Sequence, residues 1–140
     1  MNKLSFVVSM LMMCLPMTMM AQKNGAKAQD KPDPNFQIYL CFGQSNMEGN
    51  AAIEDEDRTG VDPRFMAMYA VDDEKAGWKK GEWHTAVPPQ ARPSTGLTPV
   101  DYFGRKMVAN LPENVKVGTI TVAVGGASID LFDKRTCKAY

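Results

Sequence analysis

Ser45 is the residue of this sequence best placed to do chemistry. It stands two positions beyond the glycine that closes the apolar run Phe36-Gln37-Ile38-Tyr39-Leu40-Cys41-Phe42, inside Gly43-Gln44-Ser45-Asn46-Met47-Glu48-Gly49. A serine hydroxyl becomes a nucleophile when a base takes its proton and fixed donors receive the developing oxyanion. Backbone N–H groups at the start of a helix following Ser45 could be such donors. So could those of Gly125 or Gly126, in the run Gly125-Gly126-Ala127-Ser128, because glycine lets the backbone approach closely. Serine after a strand equally serves as a helix cap, and spacing alone leaves both readings open.

Two other phosphate or acyl chemistries are excluded residue by residue. A Gly-x-Ser-x-Gly nucleophile elbow would need glycine at position 47, where Met47 stands. A dinucleotide fingerprint would need glycine at 45, and no Gly-Lys-Ser/Thr phosphate loop occurs. The run Glu54-Asp55-Glu56-Asp57 lacks the alternating ligands and glycine of a calcium loop, so it reads as a solvated loop. No cysteine has a partner at zinc-type spacing, and no metal or other cofactor is expected. Trp78 and Trp83 could stack on sugar rings or anchor their loops to the core.

The elements that must position Ser45 follow from periodicity. Phe36–Phe42, rich in aromatic and branched side chains and closed by a glycine, reads as a buried strand of a parallel sheet, and ligands of such sheets bind beyond the carboxyl ends of the strands. Residues 64–71 carry apolar side chains on both faces and read as a strand or hairpin arm. The prolines and tryptophans between Trp78 and Pro93 mark long ordered loops. Residues 98–111 form the clearest helix: Thr98 is the N-cap, Pro99 the first helical residue, Asp101 the partner in a capping box, and Val100, Phe103, Met107 and Leu111 the apolar stripe. Pro112 ends it.

A second buried strand over 115–124 leads into Gly125. Strand, helix and strand in one sheet imply a parallel pair, so both glycine-bearing loops emerge at one edge. Beyond Ile129 no further strand or crossover helix is expected. A sheet of two or three strands with one covering helix leaves an apolar face open, and the chain reads as cut short.

Composition bounds the rest. The chain has 140 residues, 44% of them hydrophobic, enough for one domain and too few for two. Sixteen basic residues balance 16 acidic ones, so there is no basic footprint for nucleic acid. Lys3, the apolar run 4–20 and Ala21 read as a signal peptide over residues 1–21, followed by a polar, mobile leader over 22–35. The mature product is then secreted or periplasmic, without stable membrane association. An uncleaved anchor, or a lipoprotein site at Cys14, are the alternatives, though a run of about 17 residues is at the short end for a span. Cleavage leaves Cys41 and Cys137, which could pair; a small apolar role suits Cys41 on its strand. Sequence gives no oligomeric state.

The block Gly43-Gln44-Ser45-Asn46-Met47-Glu48-Gly49 after an apolar strand resembles the first block of the SGNH-type hydrolases, in the form found in sialate O-acetylesterases and family-six carbohydrate esterases. Gly96 to Gly104 resembles the family's next segment, and Gly125-Gly126-Ala127-Ser128-Ile129 its second glycine block. The similarity covers roughly residues 36–132, the amino-terminal half of such a domain. It implies an α/β fold, the three-layer, flavodoxin-like parallel sheet of SGNH hydrolases, truncated here to its first strands and helices. It also implies an acetylated carbohydrate as substrate, such as sialic acid or xylan-type glycans, and Ser45 as nucleophile. The Ser45 N–H and a glycine of the Gly125–Gly126 pair become oxyanion donors, with Gln44 and Asn46 beside them at the substrate. The family's Gln-Gly-Glu donor block and its closing Asp-x-x-His block have no counterpart, so the resemblance implies a nearly inert chain. The single histidine, His84, has Gly81 three residues before it and precedes the second glycine loop; it reads as a polar loop residue rather than the base. Asp101, Asp130 and Asp133 read as capping or surface residues. A non-catalytic carbohydrate-binding or vestigial protein, contacting sugar through Tyr69, Trp78 and Trp83, is the alternative.

Overall fold

The computed structural model describes residues 31–135. The expected signal peptide and most of the leader, together with Cys137, lie outside the described residues. In chain order the elements are strand β1 (Phe36–Gly43), helical turn α1 (Ser45–Glu48), strands β2 (Phe65–Met68) and β3 (Trp83–Thr85), helix α2 (Pro99–Ala109) and strand β4 (Lys116–Ala123). Single 3-10 turns occupy Asp55–Arg58 and Ile129–Phe132.

The strands form one sheet in the order β1-β4-β2-β3. β4 runs parallel to β1 and to β2, and β3 lies antiparallel on β2. The fold is therefore α/β and mostly parallel, as expected for the first part of an SGNH-type domain, with two differences. The sheet is mixed, because β3 returns along β2 as a short hairpin arm where only loop was expected. Among the described residues there are two layers rather than three, since α2 covers one face alone.

The uncovered face corrects the reading of β1 as a buried strand. β1 is an edge strand, and its alternate residues Ile38, Leu40 and Phe42 are 54%, 64% and 51% exposed. Register places them beside Gly118, Ile120 and Val122 of β4. At one end of this face the Phe36 and Trp83 rings meet edge to face at 4.9 Å, over Gly118, where a Cβ would come within 2.6 Å of Phe36 and 2.8 Å of Trp83. Trp83 thus anchors β3 to the sheet.

On the covered face the core is Phe65, Ala67, Ala86, Val108 and Val117, with Tyr39, Val61, Met107 and Leu111 packed around it. Helix α2 begins as its sequence dictates. Val100 N–H donates to Thr98 Oγ1 at 3.0 Å, and Thr98 N–H donates to Asp101 Oδ2 at 2.9 Å, completing the capping box. Its buried stripe is rotated from the expected one. Val100, Gly104 and Val108 face the sheet, while Phe103 lies at the margin, exposed on one side and edge-on to Tyr39 at 5.1 Å. Gly104 decides the rotation: a Cβ there would stand 2.0 Å from the Phe65 ring, so the aromatic ring fills the place of a side chain.

Two carboxylates are buried: Asp101, the expected capping residue, and Asp57, from a run expected to be solvated. Asp101 is fully buried and accepts 2.7 Å from Gln90 Nε2, while Gln90 Oε1 accepts from Thr119 at 3.3 Å. Asp57, from the acidic run, accepts from Glu54 N–H at 2.8 Å and from the Tyr102 hydroxyl at 2.7 Å. These two bonds hold its carboxyl below the usual range, and only the rest of that run is solvated. Replacing Gly104 by alanine should lower the unfolding free energy by about 1–3 kcal/mol through overpacking against Phe65. Urea titration of both forms reads this directly, and a loss under about 0.5 kcal/mol would contradict the close approach.

Candidate active site

Ser45 is the first residue of α1 and Gln44 its N-cap, whose side chain makes no capping bond. The Ser45 carbonyl accepts from Gly49 N–H at 3.1 Å and from Asn50 Nδ2 at 3.1 Å. Its hydroxyl makes no hydrogen bond among the described residues. The serine is thus not spent as a helix cap. The first N–H groups of the turn, those of Ser45 and Asn46, lack intrahelical acceptors by the geometry of any helix start.

Parallel pairing carries the second glycine loop to this point. β1 and β4 finish in register at Gly43 and Ala123, and Val124 N–H reaches back to the Gly43 carbonyl at 3.4 Å. A Cβ on Gly125 would lie 3.9 Å from Ser45 Cβ. The two glycines of the pair serve different ends. Gly125 provides space, since its Cβ would stand 2.9 Å from Glu48 Oε2; Gly126 has a φ of 75°, a left-handed conformation that glycine adopts without strain.

Glu48 and Arg92 complete the arrangement, and sequence reasoning assigned neither a role. Glu48 is buried; its Oε2 accepts from Gly125 N–H at 2.8 Å, and its Oε1 pairs with Arg92 Nη2. One signal was available: Glu48 is the only charged residue between Asn35 and Ile53. Backbone bonds strap the Arg92 loop to the serine loop, with Gly96 N–H on the Gly49 carbonyl at 2.9 Å and Leu97 N–H on that of Ala51 at 2.8 Å. Side chains are excluded there, because a Cβ would fall 2.6 Å from Leu97 O at Gly49 and 2.1 Å from Ala51 O at Gly96.

Hollows flank the serine on both sides. Gln44 lines one of about 220 Å³ with Phe42, Ala127, Ile129 and Phe132. Asn46 lines a groove of about 480 Å³ with Asn50, Leu97, Thr98 and Tyr102. Over residues 35–140 the chain matches the model of a family described as carbohydrate esterase, sialic acid-specific acetylesterase. The chain belongs to that family. The match takes in β1, α2, β4 and both glycine-bearing loops, and it makes this carbohydrate esterase a member of an ester-hydrolysing class.

Within the carbohydrate esterase, His84 does not reach the serine. It lies on β3 opposite Ala67, which is level with Thr119 and hence with Tyr39. Ser45 is three strands across and six residues further along, about 14 Å by 20 Å at ordinary sheet spacings, far beyond hydrogen-bond reach. His84 is instead part of an aromatic cluster: its centroid is 3.8 Å from Tyr69 and 6.1 Å from Trp78, and Tyr69 is 4.2 Å from Trp78. Asp133 is engaged with Arg135 at 2.8 Å. No group of three or more His, Cys, Asp or Glu side chains among the described residues is arranged to hold a metal.

Burial pushes the His84 pKa below its usual 6.5, a shift opposed by the Nδ1 contact with the Thr85 carbonyl. The unfolded chain binds the proton more readily, so this stability is full above about pH 6.5 and is lost as pH falls below it. Melting temperature should drop between pH 7 and 5 in wild type and less in His84→Phe, which keeps the stacked ring. Asp101, raised by burial, acts in the opposite sense but equally in both forms, so the difference isolates His84; identical pH profiles would contradict the assignment.

Proposed function

We propose that this chain carries the nucleophile half of a serine carbohydrate O-acetylesterase site, acting on acetylated sialic acid or acetylated xylan-type glycans. The supporting observation is the unengaged Ser45 hydroxyl at the carboxyl edge of the sheet, with the Gly125–Gly126 loop beside it. In this reading Ser45 Oγ attacks the acetyl carbonyl, and the oxyanion accepts from the Ser45 N–H and a glycine amide of the second loop. The C–O bond to the sugar then breaks, the sugar oxygen takes a proton, and water later releases acetate from the serine. Gln44 and Asn46, each lining a hollow beside Ser45, contact the sugar. The chemistry needs no metal or other cofactor.

The base is the part this chain does not supply. Loss of the base in serine hydrolases lowers turnover by on the order of a million-fold, so the 140-residue chain is expected to be nearly inert. The product acts outside the cytoplasm, secreted or periplasmic, on a soluble or polymeric glycan.

A longer form that adds an Asp-x-x-His block should release acetate from acetylated sialosides or acetylated xylan. Ser45→Ala in that form should reduce turnover by on the order of a million-fold. A serine-directed phosphonate should label the longer form at Ser45 and leave the 140-residue chain largely unlabelled. Equal acetate release by the longer form and its Ser45→Ala variant would overturn the reading.

A further inference from the structure

Glu48 is a carboxylate buried among loops that otherwise meet through backbone and glycine. Removing a carboxylate from water costs several kcal/mol unless charge and hydrogen bonds compensate. Both compensations come from outside its own segment: Arg92 from the loop before α2, and Gly125 N–H from the loop after β4. One side chain thus ties three loops that are distant in sequence. A smaller polar residue would end α1 as well, since the Gly49 N–H that closes the turn bonds to a backbone carbonyl.

The bond to Gly125 has a chemical consequence. An N–H that donates at 2.8 Å to a carboxylate is turned towards Glu48 and is occupied. The next amide, that of Gly126, has no acceptor among the described residues. We propose that Glu48 and Arg92 are positioning residues, an ionic clamp that fixes the second glycine loop against Ser45 by holding the Gly125 amide, and so leaves Gly126 N–H as the donor this loop presents. The last clause rests on the acyl-transfer reading; the clamp itself does not.

The test uses the 140-residue chain labelled with 15N-glycine. In wild type the Gly125 amide resonance should follow the titration of a carboxylate, and in E48Q it should be flat. E48A removes the acceptor of a charge-assisted bond, so Gly125 amide exchange should accelerate by about 10- to 100-fold, with R92A giving a smaller increase in the same direction. Gly104 and Gly118, in the covered helix and the central strand, should exchange as in wild type. If E48A does not fold, the pH response of Gly125 in E48Q decides instead. A Gly125 resonance that titrates equally in wild type and E48Q would overturn the clamp. So would exchange that rises equally at Gly104, Gly118 and Gly125, which marks a general loss of stability. Neither readout depends on ester hydrolysis, so failure of the clamp and failure of the esterase reading are told apart.

Discussion

The parallel pairing of β1 with β4 is the constraint on which the remainder rests. Eight residue pairs, from Phe36 with Lys116 to Gly43 with Ala123, fix both strands in direction and register. A parallel pair needs a crossover, and α2 in that crossover covers one face of the sheet. The same pairing brings the carboxyl ends of two strands to one edge, so Ser45 and Gly125 become neighbours without any contact between their own side chains. A slip of one residue would exchange the two faces of β1 and move the serine loop away from its partner.

Buried charge appears where this frame leaves backbone groups in need of partners. Asp101 sits under the first turn of α2, receives the Thr98 N–H and is linked through Gln90 to Thr119 on the sheet. Glu48 does the corresponding work at the sheet edge, receiving a loop amide and a guanidinium. Both are carboxylates among N–H donors, the setting in which burial of a charge is tolerated. They differ in what they join: Asp101 joins a helix to a sheet, and Glu48 joins loops that border the nucleophile.

Much of this was legible because it is local. Thr98, Pro99 and Asp101 announce the start of α2 within four residues, and the two apolar runs ending in glycine announce β1, β4 and their loops. What was not legible depends on distant partners. The stripe of α2 was misjudged because Gly104 carries no apolar side chain, yet it is the position where Phe65 enters. β3 spans three residues between turn signals and exists because β2 offers it an edge. The burial of Asp57 depends on Tyr102 and Arg105, on an element far along the chain. Glu48 and Arg92 are ordinary residues in sequence, and only folding shows that they meet.

The long separation between β1 and its partner also sets an order of events. Phe36 and Lys116 are about eighty residues apart, and closing a loop of that length costs about 4 kcal/mol in chain entropy. β1 gains its ladder only after β4 has been made, so a growing chain leaves its edges unpaired while the intervening residues are added. The serine loop stays without its glycine partner until the roughly eighty residues that separate them have been added. Assembly of the reactive edge therefore waits on that whole stretch, and in the interval the chain is open to association with other unfolded chains.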